Sequence, residues 1–369
     1  MVTFLAGSPF EPDDRVPSPV SSCRNRAPVE GFAVETIEGL IFTVKGLLHP
    51  PDRVIAYLRF MLDPEGDRKR KGRLYRRVYK FEEQREILRR RFPAYIRYHP
   101  LFGFEVQGVP GRFIQKIYDP SIRLAGIFQS GPLDSLEENT LAFANFLRDA
   151  AGVHMSGLGV SGSVLVGLHR PGSDIDMVVY GDSESRAVHC ALGRILDSRG
   201  GPVRRLDGAE LAALHASHRA ETPLSFSDFA RLQSRKTNEG YFGQTPYFIR
   251  FIKRERETER GRGAGDTFYE SLGKATIRFR VADDRDSIFT PCCYAVGEVS
   301  FLDGAGEADL REVVSFRGRF SDQARTGERA AARGSLERVV AHEGKVYHRL
   351  VVGGDAGDFL LSEERLVSK

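Results

Sequence analysis

Apolar positions recur along the chain with two periods, and the places where the period changes divide it into pieces. From Phe32 to Phe60 two β-like runs, FAVETIEGLIFTVKG and RVIAYLRFML, flank the Pro-containing turn LLHPPD, which predicts a meander or hairpin. A short β-like region follows around Arg112–Phe128. DSLEENTLAFANFLRDAAG then carries its apolar residues at helical spacing, with a capping box of Ser135 and Glu138 expected at its start and Gly152 at its end. From 267 to 369 the alternation returns in six short runs, KATIRFRVA to DFLLS, the pattern of a small closed or partly closed barrel. The Pro-, Ser- and Arg-rich start has no such period, so 1–30 is expected to be a poorly ordered lead-in. The charged, Gly-rich RERETERGRGAGD marks a boundary near Arg262. An α+β chain is predicted, with an N-terminal α/β segment over 31–133, a core over 134–262 and a β-barrel over 263–369.

At 369 residues, 41% hydrophobic and 28% charged, the chain suits two or three globular domains and excludes a disordered or fibrous protein. It has no run of ~18 apolar residues, and its N-terminus lacks the basic start and apolar stretch of a signal, so a cytoplasmic protein without membrane contact is expected. Cys23, Cys190, Cys292 and Cys293 lack zinc-ligand spacing and are expected to be reduced thiols. Of the 54 basic residues 44 are arginine, which fits a heat-adapted protein or a GC-rich genome equally, and gives a mildly basic net charge of +4.

The bases are unevenly spread. Twelve Lys or Arg fall between Arg68 and Arg91, interleaved with Tyr75, Tyr79 and Phe81. Such an arm can track a phosphate backbone and offer stacking faces to unpaired bases. The competing expectation is a solvated, salt-bridged helix face, because Glu82, Glu83 and Glu86 lie among the bases while Ile87, Leu88 and Phe92 suit a core.

The segment that carries chemistry is LGVSGSVLVGLHRPGSDIDMVVYG, 158–181. Leu158–Ser161 reads as a strand, Gly162 permits a tight turn, and Ser163 starts a short helix whose amides and hydroxyl form a phosphate cradle. In DIDMVVYG, a period of two puts Asp174 and Asp176 on one face, while Ile175, Met177 and Val179 alternate with them. Two adjacent carboxylates repel unless a cation lies between them, and such oxygen ligands suit Mg²⁺.

Gly162-Ser163, a spacer of about ten residues and Asp174-x-Asp176 in an apolar strand together resemble the signature of the nucleotidyltransferase superfamily, the polymerase-beta-like fold. The flanks resemble predicted nucleotidyltransferases of archaea. The resemblance implies a transfer of a nucleoside monophosphate from an NTP to an acceptor hydroxyl. Asp174 and Asp176 would hold two Mg²⁺ ions, with Gly162, Ser163 and Ser173 at the phosphates. Arg235 and Lys236, in RLQSRKTNEGYFGQTPYF, are expected to supply triphosphate contacts or to complement a helix end.

The superfamily also has a third acid on a later strand, and here the corresponding run is GPVRRLDG, with Arg204 in the expected place. Asp207 is the first candidate for that acid, with Glu239, Glu255 and Asp283 behind it, while YFIRFI carries Arg250 where a longer-spaced relative has an acid. His169 and Arg170 are expected at phosphate or in solvent, and His215 and His218 at a metal or on the surface. For the acceptor, the basic arm and an OB-like barrel favour a polynucleotide, RNA above all. The alternative is a nucleotide- or nucleic-acid-binding protein on a core that has lost catalysis, because a missing third acid removes a metal ligand and a general base.

Overall fold

The computed structural model describes residues 27–99, 104–198, 200–218, 224–258, 267–304, 309–340 and 344–363. Cys23, almost all of the expected lead-in and the boundary near Arg262 lie outside them. None of the described helices is long and apolar enough to cross a membrane.

The N-terminal piece is larger than a hairpin. It contains β1 (Ala33–Thr36), β2 (Ile41–Val44), β3 (Arg53–Leu62), β4 (Arg68–Arg70), β5 (Arg73–Arg77), β6 (Ile96–His99), β7 (Phe104–Pro110) and β8 (Ile114–Tyr118). They form one sheet in which β3 lies between β2 and β5 and also pairs with β7. The first run splits at Gly39, whose φ of +81° permits the turn between β1 and β2.

The basic arm becomes the β4–β5 hairpin, turned at Lys71 and Gly72, followed by α1 (Phe81–Arg91). Most of its arginines are committed inside the protein. Arg68 donates to the Leu168 carbonyl at 2.6 Å, and Arg70 bonds Glu35, Tyr75, Tyr118 and the Val166 carbonyl. Arg76 pairs with Asp63 and Glu83, while Arg85 and Arg89 pair with Glu105. Lys69, Lys71 and Arg73 stay exposed at the hairpin tip.

The β-like expectation at 112–128 holds only for β8. Asp119 caps α2 (Pro120–Ser130) by accepting from Ser121 and Ile122, with Pro120 in the first turn where its missing N–H costs nothing. Helix α3 (Ser135–Ala151) ends at Gly152 with φ +65°, as expected, but its cap is Asp134, which accepts from Leu136 and Glu137. The carboxylate one residue upstream takes the role expected of Ser135.

The central sheet comprises β9 (Leu158–Val160), β10 (Ile175–Tyr180), β11 (Val203–Arg204), β12 (Glu239–Phe242) and β13 (Thr245–Ile252), in the order β11-β12-β13-β10-β9. The short α4 (Gly162–Leu165) and α5 (Asp182–Asp197) flank β10, and α6 (Gly208–His218) and α7 (Phe226–Gln233) precede β12. Strand β10 is paired on both edges, by β9 and by the parallel β13, and each of its faces packs on a separate core. Ile175, Met177 and Val179 pack with Phe143 and Leu147 of α3 and Val188 and Leu192 of α5. Val178 and Tyr180, on the other face, join the core of the N-terminal sheet with Val34, Phe42 and Leu58. Each such side chain contributes about 1.5–3 kcal/mol by burial. The face bearing Asp176 is thereby turned toward the N-terminal sheet.

The C-terminal piece is formed by β14 (Phe268–Asp283), β15 (Cys292–Asp303), β16 (Leu310–Ser315), β17 (Arg329–Val340), β18 (Val346–Val351) and β19 (Phe359–Ser362). Pairings run β14-β15-β16-β18-β17 and return from β17 to β14, with β19 added along β17 and β16 parallel to β18. Phe279, Tyr294, Leu336 and Leu350 fill the space between. Cys190, Cys292 and Cys293 are free thiols, as expected.

Candidate active site

The turn between β9 and β10 is built around one close approach. Gly162 has φ +60°, and a Cβ there would lie 1.9 Å from Asp176 Oδ2, so the carboxylate rests where any other residue has its side chain. The Ser161 N–H donates to the Asp176 carbonyl at 2.7 Å and its hydroxyl to the Gly31 carbonyl at 2.7 Å, locking the turn to β10 and to the N-terminal sheet. Ser163 is buried in the single turn of α4, and its carbonyl accepts from Leu168. Ser173 is buried too; its hydroxyl accepts the Arg170 N–H at 3.1 Å and holds the Pro171-Gly172 turn that delivers the aspartates.

Asp174, Asp176, Ser161 and Gly162 line an open cleft of about 2320 Å³ reached by all three pieces of the chain. The neighbouring charge of Asp176, with burial, pushes the Asp174 carboxyl above the usual carboxylate range. In β13, Arg250 stands opposite Val178, one pleat along from Phe248 opposite Asp176. Its Nη1 donates to Asp176 Oδ1 at 3.1 Å, and burial of this guanidinium is outweighed by Asp176 and Glu30. Lys45 pairs with fully buried Glu30 at 2.8 Å, and burial pulls its ammonium down despite that partner. Arg59 of β3 and Arg77 of β5 complete the cationic wall; both guanidinium carbons lie near the exposed Tyr79 ring, at 5.0 and 5.1 Å from its centre. Burial and the Arg77 charge pull Arg59 down to about 10. Nothing in the sequence pattern singled out Arg59, Lys45 or Glu30, and Arg77 stood out only as one base among twelve.

The remaining expected residues lie elsewhere. Asp207 is the N-cap of α6: its carboxylate accepts the Glu210 N–H at 2.9 Å while Glu210 accepts the Asp207 N–H at 2.8 Å. It follows β11, which β12 and β13 separate from β10, so the structure does not bring it beside the aspartate pair. Arg204 makes a two-point bond to Glu210 and holds that carboxyl down to about 2. Arg235 bonds Glu328 at 2.7 Å, and the buried Lys236 donates to the Arg319 carbonyl at 2.6 Å, so both tie the core to the C-terminal piece. Glu239 lines the cleft within 3.5 Å of Lys236, Glu255 lies in a single 3₁₀ turn, and Asp283 bonds Arg285. His215 bonds the Leu224 carbonyl beside Phe226 and Phe229. Among the described residues no third acid, histidine or cysteine forms with both aspartates a group whose ligand atoms all lie within 4.8 Å of one another.

One such cluster does occur, at Asp134, Glu137 and His169, whose ligand atoms lie within 4.8 Å of one another. Every acid in it has a partner. Asp134 caps α3 and bonds His169 at 2.6 Å, and Glu137, buried, bonds Arg123 and the Leu133 N–H.

Compared with known proteins, residues 143–239 match the family model described as the nucleotidyltransferase domain. The match includes the Gly162–Asp176 turn and ends at Glu239, before Arg250. An uncharacterized protein of Methanocaldococcus jannaschii is 29% identical over 330 residues, covering 87% of this chain and 94% of its own, so the similarity runs through the flanking pieces as well. No solved structure matches.

Proposed function

We propose, from the match of residues 143–239 to the nucleotidyltransferase domain model, that the chain moves a nucleoside monophosphate from an NTP to an acceptor hydroxyl in a magnesium-dependent reaction that releases pyrophosphate. The observation that carries this reading is the aspartate pair, adjacent, largely buried and set against Gly162 with no Cβ between. The raised Asp174 carboxyl fits a site that takes up a cation, since a divalent ion relieves the repulsion that raises it. Asp174 and Asp176 would hold magnesium, which supplies neutralisation of charge at the attacking and leaving oxygens. The Gly162-Ser163 turn lets phosphate approach the backbone closely. Arg250 orients Asp176 through its bond to Oδ1. The acceptor oxygen attacks the α-phosphorus as pyrophosphate departs, and with no third acid beside the pair among the described residues the hydroxyl proton passes to solvent water.

A polynucleotide acceptor, RNA above DNA, is supported by the far wall of the cleft. Arg317 and Tyr269 line it, with Arg349, itself committed to Glu337 at 2.8 Å, stacked over the Tyr269 ring at 4.0 Å from its centre. We read the ring β14-β15-β16-β18-β17 as an OB-like barrel, a form that binds unpaired strands, and the exposed Lys69, Lys71 and Arg73 as further phosphate contacts. A second reading, nucleotide binding without turnover, is favoured by the Arg250–Asp176 bond, which neutralises part of the pair where a third acid is wanting. Incubation with α-labelled NTP, magnesium and a panel of RNA and DNA oligomers separates the two. Magnesium-dependent label transfer with pyrophosphate release supports catalysis, whereas bound NTP with no release supports the second reading.

A further inference from the structure

The cationic wall opposite the aspartates is composed differently from the rest of the arginines around it. Arg68, Arg70 and Arg76, in the same hairpin as Arg77, each donate from the guanidinium to a carbonyl or a carboxylate, although the Arg68 Nε, like that of Arg77, is buried without a partner. Among the described residues, the guanidinium groups of Arg59 and Arg77 make neither an ion pair nor a hydrogen bond to any protein acceptor. Each is held only by its place beside Tyr79. The Nε of Arg77 is buried with no partner. Two like charges side by side in a half-buried wall cost energy unless an anion meets them. They line the same cleft as Asp174 and Asp176 and feel those carboxylates electrostatically without bonding to them, which leaves room for a group between.

That group has to be anionic toward the arginines and acceptable to the aspartates through a cation. A phosphate chain meets both demands, because phosphate oxygens accept paired hydrogen bonds from guanidinium groups and also ligate divalent ions. Arg235 and Lys236, bound into the domain junction, leave this role open. We propose that Arg59 and Arg77 form the polyphosphate clamp of the nucleotide site, an anion site supplied by the N-terminal sheet to the core and aligned by Tyr79. It takes the β- and γ-phosphates of a nucleoside triphosphate. This inference deepens the transfer reading and rests on it for the placement of the α-phosphorus.

Calorimetric titration of the full chain with inorganic tripolyphosphate in EDTA tests the clamp without metal or turnover. The wild type is expected to bind. Arg77→Gln and Arg59→Gln are each expected to weaken binding roughly ten- to hundredfold, the range for losing charge-assisted bonds. Asp174→Asn is expected to bind at least as tightly, since it removes a repelling charge. If Arg59→Gln fails to fold, as judged by circular dichroism, Arg77→Gln, which is only half-buried, decides the matter. Unchanged affinity in the folded arginine variants overturns the clamp whatever the turnover. An RNA oligomer without terminal phosphate should not displace tripolyphosphate; displacement would assign the arginines to the acceptor strand and overturn the clamp. A chain that binds tripolyphosphate through both arginines yet releases no pyrophosphate from NTP defeats the transfer reading and leaves the clamp standing.

Discussion

The acids at Asp134 and Glu137 and those at Asp174 and Asp176 are built on opposite principles. At Asp134, Glu137 and His169 every carboxylate is answered by a helix N-terminus, by Arg123 or by the imidazole. At Asp174 and Asp176 two like charges act on each other, and among the described residues the one direct side-chain bond between the pair and the surrounding cations is Arg250 to Asp176. The first arrangement stabilises the fold. The second spends stability to keep charge available, which marks a functional site better than the proximity of potential ligands.

The largest expected effect falls on the satisfied cluster. Glu137→Ala strands Arg123 and the Leu133 N–H beside a nearly fully buried position, and chemical denaturation should show a loss of about 3–5 kcal/mol. A loss under ~1 kcal/mol would remove the distinction between the clusters. The aspartates should then diverge from each other. Asp176→Asn leaves the Arg250 guanidinium short of its partner and should cost about 1–3 kcal/mol, whereas Asp174→Asn relieves repulsion and should leave metal-free stability unchanged or raised. Equal losses in both would mean that Asp174 is as well satisfied as Asp176.

Acid titration sharpens the same contrast, with opposite signs. Burial opposes ionisation of Asp134, but the Glu137 and Leu136 N–H groups and His169 outweigh it and hold the carboxyl below its usual range. Its contribution is therefore present above the unfolded carboxyl pKa and is lost as pH falls through the lowered folded value. Asp174 is raised, so the metal-free protein binds that proton more tightly when folded. Its destabilising contribution sets in as pH rises from the unfolded pKa through the raised folded value. Stability curves of Asp134→Asn and Asp174→Asn against wild type should separate in opposite directions across pH 3 to 6, roughly the span of these carboxyls. The smallest effect is Asp207→Ala, which removes the cap of α6 and should cost ~1 kcal/mol in thermal unfolding.

What could be read from the sequence was what lies close along the chain. Gly162, Asp174 and Asp176 are separated by fourteen residues at most, and a turn plus a two-residue period sufficed to place them together. Arg250 reaches Asp176 only because β13 runs parallel to β10 across seventy-four residues of chain, and YFIRFI as a string does not reveal which strand it joins. The same limit hid Arg59 and Arg77, which come to the cleft by folding of a separate sheet. Arg235 and Lys236 misled for the opposite reason: local basic character says nothing about Glu328 and the Arg319 carbonyl, which bind them from the C-terminal piece. The helix at 120–130 was overlooked although Asp119-Pro120 is a legible start, because apolar Ile and Phe around it suggested a strand.

The central claim, that the aspartate pair performs nucleotidyl transfer, is tested most directly by pyrophosphate release from NTP at saturating magnesium and RNA acceptor, comparing wild type with Asp174→Asn. This variant is expected to keep its fold, so a change in rate reports on chemistry alone. The account predicts magnesium-dependent release by the wild type and a loss of about a thousandfold or more in the variant, equivalent to ~4 kcal/mol of transition-state stabilisation. Release by the variant at near wild-type rate would contradict it.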